Sequence, residues 1–256
     1  MQATLTVLGS GTSMGVPTIG CDCRVCTSPD PRDRRTRPSV LLDYGGRHVL
    51  IDTTPDFREQ AIRERITKLD AVLYTHAHAD HILGLDDLRP LSFRHPDRIP
   101  LFGNDATLDR LRSVFSYIFE TGSAYPALAR VRTESLNGAI ELFGACFEPI
   151  RIMHGDEEIH GYRFGSAAYL TDFSEIVEEE MPKLAGLDVL FLDALRRKPH
   201  PTHSSLENSL RLVEELRPKR AFFTHISHDL AHEETNAGLP AHVRLAHDGL
   251  RLEFEI

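Results

Sequence analysis

Residues 69–81 read LDAVLYTHAHADH, an apolar run that leads directly into three histidines and one aspartate. Imidazole and carboxylate groups are the ligands through which proteins bind zinc, manganese and iron. Because side chains alternate along an extended chain, a strand before the motif would point His76 and His78 to the same side. A turn after them would carry Asp80 and His81 to a second point nearby. The spacing therefore predicts two adjacent metal ions rather than a solvated polar loop.

The motif H-x-H-x-D-H resembles the signature of the metallo-β-lactamase superfamily. The segments LTVLGSGTS at 5–13 and VLIDT at 49–53 look like the opening strands of that family. Three later apolar runs match the family's remaining ligand positions by ending at His154, Asp172 and His225. The resemblance implies an α/β fold, the four-layer αββα sandwich. Periodicity alone indicates only an α/β protein with many strands.

The same resemblance implies a dinuclear site with two divalent metal ions, manganese or zinc, although iron also suits the donors. One ion would be bound by His76, His78 and His154, the other by Asp80, His81 and His225, with Asp172 bridging them. A metal-bridging hydroxide would attack the substrate, and Asp80 would be catalytic as well as a ligand. Asp52 ends a predicted strand. It is either a hydrogen-bond acceptor that orients one histidine or simply a turn residue.

A second metal site is indicated by Cys21, Cys23 and Cys26, which form C-x-C-x2-C in a loop rich in glycine and proline. Clustered cysteines in a cytoplasmic protein favour a structural metal over disulfides. Tetrahedral zinc needs a fourth ligand. We favour His228 for that position, with Cys146 as the alternative, although its strand position predicts a place in the buried core. Reduced cysteines without a metal are the remaining interpretation.

The cysteine motif and the segment THISH at 224–228 resemble the PhnP-type phosphodiesterases, which are associated with carbon–phosphorus lyase and cleave cyclic phosphodiesters of ribose. Their relatives, the tRNA 3′-processing endonucleases, clamp tRNA with a long arm, and no Gly- and Lys-rich insertion is evident here to build one. By resemblance, His203 is the general acid that protonates the leaving alkoxide. His200 is a substitute for it, a substrate contact or an ordinary surface residue.

Charge and hydropathy limit the partners that we expect. A net charge of −9 disfavours binding to long nucleic acid, which needs a broad basic surface. The one basic cluster, at 31–37, is interpreted as a solvated loop or as an aid in holding an anionic substrate. No apolar run approaches the roughly 18 residues of a membrane span. We therefore expect no membrane partner and, because no signal peptide is evident, a cytoplasmic location.

The predicted metal ligands are spread over most of the chain, so dividing it would split the site. We therefore predict a single metallo-β-lactamase-fold domain over residues 1–256, with a zinc-binding loop at about 20–27. The family also allows a homodimer. Periodicity and turn residues predict strands near 3–8, 38–43, 47–51, 70–74, 139–142, 145–152, 160–165, 167–171, 187–192, 220–224 and 250–254. Helices are predicted over 56–65, 104–115, 173–181 and 205–216.

The function predicted from these features is that of a metal-dependent phosphodiesterase acting on a small cyclic or nucleotide-like phosphodiester. One alternative is a thioester or lactone hydrolase of the glyoxalase II kind, which shares the dinuclear motif. Thioester cleavage expels a better leaving group and needs no separate acid, so His203 distinguishes the two. A different class of alternative is a nucleotide- or metal-binding regulatory protein that has lost turnover.

Overall fold

The computed structural model describes residues 1–120 and 127–256, which form two β-sheets with helices on their outer faces. The strands, numbered along the chain, are β1 Gln2–Gly9, β2 Ser39–Tyr44, β3 Arg47–Ile51, β4 Ala71–Leu73, β5 Ile99–Gly103, β6 Val131–Ser135, β7 Ile140–Leu142, β8 Ala145–His154, β9 Glu157–Phe164, β10 Ala167–Leu170, β11 Glu175–Ile176, β12 Val189–Asp193, β13 Arg220–Thr224, β14 Val243–Leu245 and β15 Arg251–Glu255. The α-helices are α1 Phe57–Arg63, α2 Ala79–Ile82, α3 Arg89–Ser92, α4 Asp105–Val114, α5 Ser116–Phe119, α6 Leu206–Leu216 and α7 His232–Ala237. Short 3-10 segments lie at Pro31–Asp33, Leu85–Leu88 and Glu178–Leu184. No helix among the described residues is long and apolar enough to cross a membrane.

Each sheet contains a run of parallel strands. The first sheet has the order β15-β1-β2-β3-β4-β5-β6, and its strands from β3 to β6 are parallel. The second has the order β11-β8-β9-β10-β12-β13-β14, with β7 paired to β8, and its strands from β10 to β14 are parallel along that order. Loops that follow parallel strands gather at one edge of a sheet, where α/β proteins build their sites.

The alternation of side chains along the strands divides the core into layers. In β12, Val189 and Phe191 belong to the cluster between the two sheets, whereas Leu190 and Leu192 belong to the cluster under the outer helices. A third cluster lies on the outer face of the first sheet, beneath α1 and α4. Each fully buried aliphatic or aromatic side chain contributes roughly 1.5–3 kcal/mol. The four-layer αββα sandwich implied by the sequence is therefore confirmed.

The predicted helices over 104–115 and 205–216 are both present, and each is capped by the side chain that precedes it. The side chain of Asn104 accepts a hydrogen bond from the Thr107 amide at the start of α4, and Ser205 caps α6 through the Asn208 amide. Each such cap stabilises its helix by about 1 kcal/mol. α6 ends at Arg217, whose φ of +50° lies in the left-handed region, one residue before a proline.

The predicted helix over 173–181 is wrong. Glu175 and Ile176 instead form the edge strand β11, pairing with Met153 and Ile152 of β8, and a 3-10 segment follows. Pairing along an open sheet edge outweighs the weak helical preference of so short a segment. The strands β5, β6 and β14 were not predicted at all, because each is short and β5 contains a proline. Cys146 is also exposed rather than buried, since it lies on the outward-facing register of β8.

Candidate active site

Three polar residues follow the carboxyl ends of parallel strands in a left-handed backbone conformation. Asp52 comes after β3, Asp172 shortly after β10 and His225 after β13, with φ angles of +65°, +59° and +55°. Non-glycine residues rarely adopt positive φ, and this strain of roughly 1–3 kcal/mol is concentrated at functional sites. The folded chain thus brings these three side chains to a common edge of the sandwich.

The first group of metal-binding side chains consists of His76, His78 and His154, each of which offers a ligand atom within 4.8 Å of the others. His76 is fully buried, and its Nε2 has no hydrogen-bond partner among the described residues. The Nδ1 atom of His154 lies 2.9 Å from the carbonyl oxygen of Thr202. A carbonyl only accepts, so Nδ1 carries the proton and Nε2 is left free to bind a metal.

The second group consists of Asp80, His81, Asp172 and His225, all buried and all within 4.8 Å of one another at their ligand atoms. His81 Nε2 lies 3.3 Å from both neighbouring carboxylates, and His225 Nε2 lies 3.0 Å from Asp172 Oδ2. Nevertheless Asp80 Oδ2 and both Nε2 atoms lack a hydrogen bond within the described chain. Buried polar atoms without partners cost about 1–3 kcal/mol each. Their convergence fits bound cations.

Asp52 orients His81 of this group through the ring nitrogen opposite Nε2. Its side chain is fully buried, and Oδ2 lies 2.7 Å from His81 Nδ1. The same carboxylate accepts the Thr75 amide and hydroxyl, each at 2.8 Å. Both interpretations of Asp52 therefore apply, because it is a turn residue at a strand end and also orients a histidine. Carboxylates of this kind fix the ring and make the opposite nitrogen a better metal ligand.

The two groups differ in their electrostatics. Burial, followed by the charge of His81, lowers the pKa of His76 well below its usual range, which favours the neutral imidazole that metals bind. Burial would also lower the pKa of His81, but the carboxylates around it, with Asp172 first, raise that pKa well above its usual value. Conversely, His225 and His81 outweigh burial and hold the pKa of Asp172 well below its usual range.

His203 stands beside both groups. Its ring stacks on His225 with centroids 4.7 Å apart and meets His154 edge-on at the same distance. Its Nδ1 lies 2.8 Å from Oδ2 of Asp193, the fully buried last residue of β12. Burial, followed by His225, lowers the pKa of His203 to about 4, and burial raises the pKa of Asp193. Both shifts favour the uncharged forms of the two groups.

Asp193 was missed by the sequence analysis. Its signal was nevertheless present, since the apolar run 189–192 ends in this carboxylate just as earlier runs end in predicted ligands.

A cavity of about 290 Å³ opens next to His203. Its wall includes the side chains of Thr12, Arg196 and His200. The imidazole of His200 lies 5.0 Å from that of His203, centroid to centroid. Among the interpretations of His200, the structure thus favours a residue at the pocket over an ordinary surface position. The cavity has room for a small substrate, and its wall carries one permanent cation, Arg196, and one carboxylate, Asp229.

The cysteine loop forms a separate group. The Sγ atoms of Cys21, Cys23 and Cys26 lie 3.3, 3.8 and 3.4 Å from Nδ1 of His228. Three thiols and one imidazole are a donor set that suits tetrahedral zinc. The structure brings His228 to this group, whereas Cys146 is exposed on β8 and lies outside it.

Arg35 connects the two regions and, being buried, is an exception to the interpretation of the basic cluster at 31–37 as a solvated or substrate-holding loop, whereas Arg34 is exposed. The side chain of Arg35 is only 1% exposed and is paired with Asp33 at 3.0 Å. It donates to the carbonyl oxygens of Ser227 and Leu230 at 2.9 and 2.7 Å. Because those carbonyls belong to the loop after β13, Arg35 fixes the segment that carries both His225 and His228. Its burial could not be read from local sequence.

Comparison with known proteins identifies the family. The model of the "Beta-lactamase superfamily domain" matches residues 47–226. A solved structure described as a new diphosphatase from the PhnP family is 63% identical with a TM-score of 0.94, over 99% of this chain and 98% of that one. Among curated proteins, an octanoyltransferase of Porphyromonas gingivalis is 39% identical over 249 residues, which make up 95% of this chain and 50% of that protein. A ribonuclease Z of Bradyrhizobium diazoefficiens is 29% identical over 142 residues, 54% of this chain and 47% of that one.

The chain thus spans about half the length of these two curated relatives. The resemblance to the PhnP structure, in contrast, covers nearly all of both chains. The fold, the superfamily match and this relative agree with one another, and a fold of this kind implies divalent metal ions. The chain therefore belongs to the metallo-β-lactamase superfamily of hydrolases and, within it, to the PhnP family.

Proposed function

We propose that this protein hydrolyses a small phosphodiester, cyclic or nucleotide-like, with the help of two divalent metal ions. The observation that carries the proposal is the position of His203, which is held by Asp193 and stacked on His225 beside two groups of ligand side chains, most of them buried. Residues 1–256 would act as one domain, because both sheets contribute side chains to the site.

The metals would be held by the two groups described above. One ion belongs to His76, His78 and His154, the other to Asp80, His81 and His225, with Asp172 between them. When bound, the ions supply an activated water and neutralise the charge that develops on the phosphate oxygens; manganese or zinc suits the donors. Asp52 and the Thr202 carbonyl hold His81 and His154 in the tautomers that leave Nε2 free.

His203 would deliver the proton that the leaving oxygen needs. Asp193 engages Nδ1, so Nε2 is the nitrogen that faces the reaction in this assignment. Without substrate the imidazole is favoured in its neutral form. An anionic phosphodiester next to the ring favours the charged form, so we expect His203 to take up a proton as the substrate binds.

Substrate size follows from the cavity beside His203. Its volume of about 290 Å³ suits a mononucleotide-sized molecule better than a polymer. Arg196 in its wall can pair with a phosphate oxygen, since guanidinium groups match that geometry. The net charge of −9 adds to the case against long nucleic acid.

The cysteine group would hold a structural zinc ion through Cys21, Cys23, Cys26 and His228. His228 lies only three residues after His225 in the chain. An ion here would therefore fix the far end of the loop that carries an active-site ligand. This gives the zinc site a supporting role rather than a chemical one.

Acyl hydrolysis is the second candidate, favoured by one observation, the octanoyltransferase relative. Octanoyl transfer is acyl chemistry, which a thioester hydrolase would share. The matched region is only half of that protein, so its named activity can belong to the other half. Among acyl substrates a thioester or a lactone remains the alternative to test.

The test compares wild-type protein with His203→Ala, each reconstituted with Mn²⁺ or Zn²⁺. We expect hydrolysis of a 2′,3′-cyclic nucleotide to fall on the order of 10²-fold or more, because its alkoxide leaves poorly without a proton. The hydrolysis of a dinucleoside diphosphate and of bis(p-nitrophenyl) phosphate should fall less, since their leaving groups need little protonation. His242→Ala, which changes an exposed histidine outside the site, is the control. Turnover confined to a thioester or a lactone would overturn the proposal.

A further inference from the structure

A second cavity, of about 420 Å³, lies at the edge of the sandwich beside α7 and β14. None of its lining residues belongs to the metal-binding groups. Its polar lining consists of Arg32, Arg244, His232, His247, Asn236 and the carboxylate of Glu233. Its apolar wall includes Phe222, Leu245 and Leu250. One side is thus polar and rich in hydrogen-bond donors, and the other is aromatic and aliphatic.

The two arginines of this lining differ in their partners. Arg32 is paired with the carboxylates of Asp30 and Glu233. The guanidinium of Arg244 donates to the carbonyl oxygens of Pro240 and Val243 at 2.9 and 2.6 Å, and no carboxylate pairs with it in the described part of the chain. Arg244 is therefore the cation of this lining that is free to bind an anion.

His232 is the second sign of a ligand. It lines the cavity, is only 3% exposed, and its Nδ1 has no hydrogen-bond partner among residues 1–120 and 127–256. An unpartnered buried nitrogen costs about 1–3 kcal/mol, which a ligand's hydrogen bond would offset. His247 meets it edge-on at 5.6 Å. The Oδ1 atom of Asn236 accepts the Leu245 amide at 2.8 Å, so its NH₂ group is available as a donor.

We infer that this cavity binds a small organic phosphate, a molecule with a terminal phosphate on a flat, largely apolar body, such as a nucleoside monophosphate. The guanidinium of Arg244 and the amide NH₂ of Asn236 match the oxygens of a phosphate. Phe222, itself stacked on Phe191 at 5.4 Å, offers an aromatic surface to the body of the ligand. The site needs no metal and does not rest on the proposed phosphodiesterase activity.

Binding of radiolabelled AMP to the metal-loaded protein, measured by equilibrium dialysis at low ionic strength, tests the inference. We expect Arg244→Gln to weaken binding at one site per chain by tenfold or more. Arg197→Gln, which changes an exposed arginine outside the cavity, should bind as the wild type does. Adenosine, which lacks the phosphate, should bind at least tenfold more weakly than AMP.

A second variant separates this site from the active centre. If AMP also binds beside the metals, His203→Ala should weaken that binding and leave the Arg244-dependent binding unchanged. His232→Gln, which keeps a polar side chain, should weaken the same site as Arg244→Gln. Equal numbers of AMP sites in wild type and Arg244→Gln, or equal affinity for adenosine and AMP, would show that the cavity is not a phosphate site.

Discussion

The candidate active site and the cysteine group of this protein are built in opposite ways. The active-site ligands follow the ends of strands from both sheets, are mostly buried, and are oriented by buried partners such as Asp52. The cysteine group takes three of its four ligands from one loop, whose own core contains only Val16, Val25 and Cys26. A site on rigid strands is preorganised by the fold, whereas a loop site depends on its metal for local order. The active site is therefore supported by the sandwich, whereas the cysteine group supports a loop.

The largest effect is expected from removing the carboxylate of Asp172, which lies close to both histidines of the second active-site group. We expect Asp172→Asn to reduce phosphodiester turnover by roughly 10³-fold, the size of a lost strong electrostatic partner. Both active-site ions should bind poorly, while the zinc of the cysteine group remains. Metal content by mass spectrometry and secondary structure by circular dichroism are the measurements. Loss of all three ions together would mean that the active site and the cysteine group are not independent of each other.

The next effect concerns the support behind His81. Asp52→Asn keeps the size of the side chain but removes the negative charge 2.7 Å from His81 Nδ1. We expect metal affinity at the active site to fall 10- to 100-fold, as is usual when the hydrogen-bond partner of a metal-binding histidine is lost. Titration with a competing chelator measures it. Unchanged affinity would leave Asp52 with the turn at the end of β3 as its only role.

A substitution in the cysteine group should affect its own zinc ion more than it affects turnover. We expect Cys23→Ser to remove one zinc ion per chain and to lower turnover by about tenfold, the low end of the effect of a lost supporting contact. The sandwich itself should keep its secondary structure. Cys146→Ser is the matched control, because that thiol is exposed on β8 and belongs to none of the candidate metal-binding groups. A full loss of folding in Cys23→Ser alone would assign the loop a larger part in the stability of the fold.

The same contrast explains what could be predicted from the sequence. The ligands at strand ends could be predicted, because each follows an apolar run and three histidines fall within one short motif. The partner of His203 carried the same signal at the end of 189–192 but lies ten residues before it, so only the fold reveals their contact. Arg35 could not be identified as buried, since the carbonyls of Ser227 and Leu230 that it contacts lie almost two hundred residues further along the chain. The strand β11 could not be predicted either, because it depends on pairing with β8.

The smallest expected effect is a pH dependence next to the cysteine loop. Burial, followed by Arg32, lowers the pKa of His232 to about 4, whereas an unfolded histidine has a pKa of about 6.5. Between these values the unfolded chain binds a proton that the folded chain does not. The free energy of unfolding should therefore be highest above pH 6.5 and fall as the pH approaches 4.

We expect the loss attributable to His232 to be about 1 kcal/mol, below the full span of the shift because solvent reaches the cavity that it lines. Denaturant unfolding of wild type and His232→Gln at pH 7.5 and pH 5 measures it. The difference in stability between the two proteins should shrink or reverse at the lower pH, because glutamine has no proton to take up. A difference that is the same at both pH values would exclude His232 as the titrating group.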